Sequence, residues 1–144
     1  MNIYTRLMED HVTQRDLSKK LAETSGDTDE RRNLFASLKQ EVEAHAAAEE
    51  QSFYAELMGH SDGQEKARHS VSEHKEAADL IEELTDLDMG SGGWLNKFKK
   101  LKDELEHHVD EEEAEIFPAA QAIISDKRAQ ELGREFERFK TAKL

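Results

Sequence analysis

The sequence predicts an all-α fold, an up-down-up-down antiparallel four-helix bundle with a short additional C-terminal helix. Three observations predict it. Between a few turn signals the apolar residues step by three and four, and no segment sustains an alternation of period two. Those turn signals leave four long segments of similar length with short connections, the arrangement of an up-down bundle. The 144-residue chain is rich in helix formers, with 7 Gly and 1 Pro, and is long enough to bury one sizeable core.

Breaks fall at Ser25-Gly26-Asp27, between Gly59 and Gly63, at Gly90-Ser91-Gly92-Gly93 and at Pro118. Helices are expected over 2–24, 28–58, 63–88 and 93–117, followed by a shorter amphipathic one over 126–142. Residues 1–144 are read as a single domain, with the bundle over 2–118. The first helix puts Ile3, Leu7, His11 and Leu21 on one side. The second starts from an N-cap at Asp27 or Thr28 and carries the inward stripe Leu34, Leu38, Val42, His45, Glu49, Phe53. Ser61 or Asp62 caps the third, whose inner side takes Val71, His74, Ala78, Ile81 and Leu84. On the fourth the stripe is Phe98, Leu101, Leu105, His108, Glu112, Ile116, and Trp94 at its start plugs the bundle end. Leu132, Phe136 and Phe139 share one side of the fifth helix and pack it across the outside of the bundle.

Composition removes several classes of function. Without cysteine there is no disulfide, iron–sulfur cluster, thiolate metal site or thiol nucleophile. A net charge of −13 argues against a nucleic-acid or anionic-membrane partner. The cluster Lys97, Lys99, Lys100, Lys102 reads as a solvated face. No stretch approaches the roughly 18 consecutive apolar residues of a membrane helix. The N-terminus has no basic start and apolar centre of a secretion signal, so a cytoplasmic location is expected.

The most informative feature is an internal repeat with an offset of 63 residues. The shift pairs His11 with His74, His45 with His108, Glu49 with Glu112, and Glu50 with Glu113. It also pairs Leu17 with Leu80, Leu21 with Leu84, Phe35 with Phe98 and Leu38 with Leu101. Apolar matches are cheap between amphipathic helices; matched histidines and glutamates inside an apolar stripe are not. A helix pair is used twice, which predicts approximate two-fold symmetry.

Each His–Glu pair is spaced i,i+4, so both side chains stack on the core-facing side of one helix. The heights agree as well. His11 lies 15 residues before Gly26 and His45 lies 19 after it, a mismatch of one turn at about 1.5 Å rise per residue. Around Gly90 the separations are 16 for His74 and 18 for His108. Two carboxylates buried there without partners would cost several kcal/mol each. A cation removes the problem, and imidazole with carboxylate suits non-haem iron, manganese or zinc. The expected site is dinuclear. His11, His45, His74 and His108 are terminal ligands, two to each metal, with the pairing left open, and Glu49 and Glu112 are bridges.

With these residues the chain resembles the hemerythrin-like, or HHE cation-binding, domains. The signature of His, then His-x-x-x-Glu, used twice, stands here as His11, His45-Ala-Ala-Ala-Glu49, His74 and His108-Val-Asp-Glu-Glu112. A Glu-Glu-x-x-aromatic continuation follows in Glu49-Glu50-Gln51-Ser52-Phe53-Tyr54 and in Glu112-Glu113-Ala114-Glu115-Ile116-Phe117. The resemblance implies two non-haem iron ions (Fe2+/Fe3+), oxo- or hydroxo-bridged, binding dioxygen, nitric oxide, peroxide or related small ligands. Oxygen-carrying hemerythrins place two histidines one turn apart on the third helix, where this chain has His74 and then Ala78. Their fourth helix pairs a histidine with an aspartate, where this chain has His108 and Glu112. Reversible oxygen carriage is the role these departures put in question.

The expected function is therefore sensing, scavenging or buffering of such small molecules. The alternatives are a peroxidase- or oxidase-like enzyme on the same site, and a metal-storage or iron-responsive interaction domain. Glu50 and Glu113 lie about 140° round from their histidines, which suits a solvated face or a contact behind the ligands. Glu41 and Glu104 lie one turn before His45 and His108 and read as surface charge, an extra metal ligand being the alternative. Tyr4 and Gln14 fit core packing, with a place on the pocket wall as the alternative. His60, His69 and His107 have no histidine partner in the repeat and read as surface residues.

Overall fold

A computed structural model of residues 1–144 is helical throughout and contains no strand. The elements are α1 (Ile3–Ala22), α2 (Asp29–Glu49), a π turn (Glu50–Tyr54), α3 (Ala55–Met58), a 3-10 turn (Ser61–Gly63) and α4 (Gln64–Asp86). They continue with α5 (Gly92–Glu111), a second π turn (Glu112–Ile116), α6 (Phe117–Gln121) and α7 (Asp126–Lys143). The π turns join their neighbours without a gap, so 29–58 and 92–121 are each one long rod. No helix is long and apolar enough to cross a membrane.

Local chemistry sets most of the ends. Asn2 accepts from the Thr5 N–H at 2.9 Å, Thr28 from Arg31 at 3.1 Å and Ser125 from Arg128 at 3.1 Å. Each cap satisfies a free N–H of the first turn and is worth about 1 kcal/mol. Two boundaries differ from the sequence reading. Neither Ser61 nor Asp62 caps α4; both lie in the 3-10 turn, and the residue before α4 is Gly63, without a side-chain cap. Pro118 does not end its helix, which runs on to Gln121. The π turn just upstream widens the backbone ladder, and the proline, which has no amide N–H to donate, falls directly after it in the first turn of α6.

α1 lies along α2 and α4 along α5, with further contacts of α1 to α5 and of α2 to α4; α7 rests on α1 and α2. The core divides in two. One cluster holds Ile3, Leu7, Phe53, Tyr54, Phe117 and Phe136, and the other Leu21, Leu38, Ile81, Trp94, Phe98 and Leu101. Polar residues interrupt every long rod at the seam between them. His11 falls between Leu7 and Leu21, His45 and Glu49 between Val42 and Phe53, His74 between Ala67 and Ala77, and His108 and Glu112 between Leu105 and Ile116.

The inner side of α4 is Ala67, Ser70, Ala77, Ile81 and Leu84, not the expected Val71 and Ala78, which are exposed. Trp94 is fully buried, its indole N–H donating to the Leu84 carbonyl at 3.1 Å. The Arg31 guanidinium lies 4.8 Å above that ring and also bonds Thr24 and the Met89 carbonyl, tying two loops together.

α7 is held against the N-terminus through Gly133. A Cβ there would overlap the Met1 carbonyl oxygen and stand 3.1 Å from the Asn2 carbonyl carbon. Gly133→Ala is expected to destabilise the protein by about 1–3 kcal/mol, because backbone cannot swing aside as a side chain can. That exceeds the gain in helix propensity of about 1 kcal/mol. A denaturant midpoint equal to or above that of the parent would contradict this close approach.

Candidate metal centre

The repeat makes two similar halves, and each half contributes a histidine pair. Donor atoms of His11, His45, Glu49 and Glu112 all lie within 4.8 Å of one another, as do those of Glu49, His74 and His108. His74 Nε2 and His108 Nε2 are 3.2 Å apart. His11 thus stands beside His45, and His74 beside His108.

The two glutamates lie between the pairs. Glu49 turns Oε1 toward His74 Nε2 at 3.1 Å and Oε2 toward His45 Nε2 at 3.6 Å. Glu112 turns Oε1 toward His11 Nε2 at 3.0 Å and Oε2 toward His108 Nε2 at 3.4 Å. Both carboxylates are fully buried. All six residues singled out in the sequence thus converge on one layer.

Whether this layer suits a cation is answered by its unmet polar atoms. His11 Nε2, both Glu49 oxygens and Glu112 Oε1 are buried and make no hydrogen bond of sound geometry. A buried ionised carboxylate without partners is costly by several kcal/mol, and a fold that leaves two of them facing four imidazoles is complementary to positive charge. Nitrogen and oxygen donors in this ratio fit first-row transition ions.

Behind the donors lies a second ring of carboxylates. His11 Nδ1 contacts Glu113 Oε2 at 2.5 Å, His45 Nδ1 contacts Asp10 Oδ2 at 2.7 Å, His74 Nδ1 contacts Glu50 Oε2 at 2.8 Å and His108 Nδ1 contacts Glu73 Oε1 at 2.8 Å. A neutral imidazole donating its Nδ1–H to such an oxygen presents the Nε2 lone pair to the centre, in a fixed orientation and with raised basicity. Glu50 and Glu113 therefore sit behind ligands, as one of the two sequence readings had it. Asp10 and Glu73 went unread, although they obey the same 63-residue offset and each directly precedes a candidate histidine.

The halves differ in detail. The Tyr54 hydroxyl donates to Glu112 Oε2, and the repeat puts Phe117 in the equivalent place, stacked on His11 with ring centroids 6.2 Å apart. Asp10 is also held by Arg6 at 2.7 Å and by Lys140 of α7 at 2.8 Å. Lys140 reaches Glu41 at 2.8 Å as well, which takes Glu41 away from the centre. α7 does more than cover the outside, since Phe136 sets its ring edge against His45 at 5.5 Å. Neither Glu41 nor Glu104 is among the clustered donors. Glu104 instead lines a cavity of about 30 Å³ together with Gln14, His45, His74, Leu105 and His108. Gln14 Nε2 and Glu104 Oε2 are both buried there without a partner, so Gln14 belongs to the pocket wall. Tyr4 packs against Phe53 and Phe117 in the apolar cluster.

The buried imidazoles and carboxylates also shift one another's protonation. Burial alone would lower His45, but the nearby Glu49 charge and the hydrogen bond to Asp10 raise it to about 10. His108 is raised to about 10 against the same burial by hydrogen bonds to Glu112 and Glu73. Burial would raise Glu112, yet the close approach of the His108 and His11 imidazoles holds it well below the ordinary carboxylate range. Burial and the neighbouring Glu112 and Glu49 charges push the Tyr54 phenol well above its usual value, so it stays protonated.

Known proteins resemble this chain in sequence and fold. A crystal structure of a hemerythrin HHE cation binding domain-containing protein from Mycobacterium kansasii superposes with a TM-score of 0.86 at 27% identity, over 99% of this chain and 89% of that one. An uncharacterized protein of Mycobacterium tuberculosis is 27% identical over 92% of this chain and 81% of its own length. A DNA nickase of a Nostoc species is 26% identical over 98% of this chain, which is 40% of the nickase. The sequence profile of the hemerythrin HHE cation binding domain matches residues 2–120. Spanning both His-x-x-x-Glu segments and both preceding histidines, that match makes this chain a member of the hemerythrin HHE cation-binding domain family.

Proposed function

We propose that this protein is a non-haem di-iron protein that binds or reacts with dioxygen, nitric oxide or peroxide, as a sensor, scavenger or buffer of such molecules. The observation that carries the reading is that Glu49 and Glu112 each present one oxygen to either histidine pair, as a bridge between two ions requires. His11, His45, His74 and His108 are the terminal ligands. The same reading takes residues 1–144 as one domain, with the four long rods as an up-down-up-down bundle and α7 across its outside; the contacts among the rods support it.

A bound iron pair would supply the electrons exchanged with the small molecule. The chain's own groups position and protonate. Asp10, Glu50, Glu73 and Glu113 hold the imidazole rings and their tautomers. The Tyr54 hydroxyl keeps a proton at Glu112 Oε2. Gln14 offers an unpaired N–H donor on the wall of the small cavity beside His74 and His108, which is large enough to hold a water.

The test is to load the protein with ferrous iron without air, count the iron, and record the optical spectrum before and after adding oxygen. Two irons per chain with new near-ultraviolet bands on oxidation are expected, and the bands should persist under vacuum. One iron or none with an unchanged spectrum would remove the reading. A visible adduct that reverses under vacuum would instead make the protein a carrier. Continued turnover of peroxide with a reductant would make it an enzyme.

Proton and metal compete for the same atoms, which fixes the sign of the pH dependence. His45 and His108 are raised in the metal-free fold, so their contribution to stability is complete below about pH 6.5 and is lost as pH rises toward about 10. Glu112 is depressed, so its contribution is present above the ordinary carboxylate range and is lost only in stronger acid. Metal binding needs neutral histidines and gains from rising pH. The difference in melting temperature between loaded and metal-free protein is therefore expected to widen from about pH 5.5 to about pH 8.5. Melts that show a constant gap would contradict the ligand assignment.

A further inference from the structure

Outside the centre, the outer surface of α4 and α5 carries a second set of nitrogen and oxygen donors. His69 and Glu73 are spaced i,i+4 on α4, and His107 and Glu111 are spaced i,i+4 on α5, so each pair shares one face of its helix. The two pairs meet across the helix interface. His69 Nε2 lies 3.0 Å from Glu111 Oε1 and 3.5 Å from Glu73 Oε2. His107 Nε2 lies 3.2 Å from Glu111 Oε2 and 3.7 Å from Glu73 Oε2. Donor atoms of His69, Glu73 and Glu111 all fall within 4.8 Å of one another, with His107 flanking the same two carboxylates.

These spacings suit donors gathered around one ion. Ligands at about 2.1 Å from an ion stand about 3 to 3.5 Å from one another, and the imidazole–carboxylate distances here run from 3.0 to 3.7 Å, with His69 and His107 meeting different oxygens of Glu111. The charge balance points the same way. No lysine or arginine pairs with Glu73 or Glu111. In the other half of the repeat the residue equivalent to Glu73 is Asp10, and its outer oxygen is held by the fixed cations Arg6 and Lys140. The residues equivalent to His107 and Glu111 there are Ala44 and Ala48. One half thus neutralises its outer carboxylate with built-in cations, and the other surrounds it with imidazoles and a second carboxylate.

We propose that His69, Glu73, His107 and Glu111 form a separate surface site for a divalent first-row transition ion. His69 and His107 are 53% and 71% exposed, so a hydrated ion reaches them directly and water completes its shell. Imidazole with carboxylate selects such an ion over magnesium or calcium, which prefer oxygen alone. The site touches the interior through one residue. Glu73 Oε2 faces the outer ligands while Glu73 Oε1 holds His108 Nδ1 at 2.8 Å. An ion outside is therefore separated by a single carboxylate from an imidazole that faces the centre.

The site rests on its own geometry and is testable apart from the reading of the centre. Full-length protein carrying its iron is dialysed against micromolar Ni2+, and iron and nickel are counted separately by mass spectrometry. The expected result is one nickel per chain in the parent and none in the double variant His69→Ala, His107→Ala, whose changed side chains are exposed. Glu111→Gln, which leaves Glu73 in place, should lower nickel occupancy in the same direction. No nickel in the parent, or equal nickel in parent and double variant, would overturn the site. A protein that takes no iron leaves the comparison intact, since nickel held at the centre would persist in the double variant.

Discussion

Glu49→Ala is expected to strip the centre of both ions, whereas His11→Ala should release one and leave the other weakened. Glu49 is fully buried, and its two oxygens address different histidines, His74 at 3.1 Å and His45 at 3.6 Å. Removing it withdraws a ligand from both ions together. A terminal histidine serves one side alone. Metal counts should therefore fall from two per chain toward none for Glu49→Ala, and toward one for His11→Ala or His108→Ala, all with unchanged helical circular dichroism.

The stability change should have the opposite sign without metal. The two Glu49 oxygens are buried without hydrogen bonds, so the metal-free fold bears their desolvation cost, of the order of a few kcal/mol. Above about pH 10, where His45 no longer offsets the Glu49 charge, metal-free Glu49→Ala should melt no lower than the metal-free parent, although it loses all stabilisation by added metal. A variant that keeps a full metal complement rules out the bridging role.

The second large effect is expected at Phe136. Its ring is fully buried on α7, with an edge against His45 at 5.5 Å and the Arg6 guanidinium 5.0 Å from its centroid. Phe136→Ala removes that packing and should cost about 3–5 kcal/mol. For a chain of this length that is a fall of about 10 °C in melting temperature. Phe139, only partly buried at the edge of the same cluster, provides the contrast. Phe139→Ala should cost about 1 kcal/mol. Because Phe136 packs on His45, its loss should also weaken metal retention, which the Phe139 variant should leave alone. Equal effects of the two would mean that α7 is a loose cover without a role in shaping the centre.

Much of the centre was legible in the linear chain because its chemistry is written in residue types that have no business on an apolar stripe. His45 and Glu49, and then His108 and Glu112, fall where leucine would otherwise be expected. The repeat supplied the partners His11 and His74. Periodicity located five helical segments to within a few residues, and the cap at Thr28 followed from ordinary N-terminal chemistry. Pro118 misled, since a π turn makes room for a proline that would end a regular α-helix.

The sequence by itself determined which six residues meet and that two carboxylates would be buried among four imidazoles, since helical spacing sets the face and loop positions set the height. Tertiary structure decided which histidines pair and how each glutamate divides its oxygens, because those depend on how facing helices are rotated and offset. It alone also brought Lys140 of α7 onto Asp10, and the Tyr54 hydroxyl onto Glu112, contacts that span 130 and 58 residues of chain. No local pattern records such pairs. Long polar side chains reach across the fold to whichever charge is left uncovered when the helices close, and that charge exists only once they have.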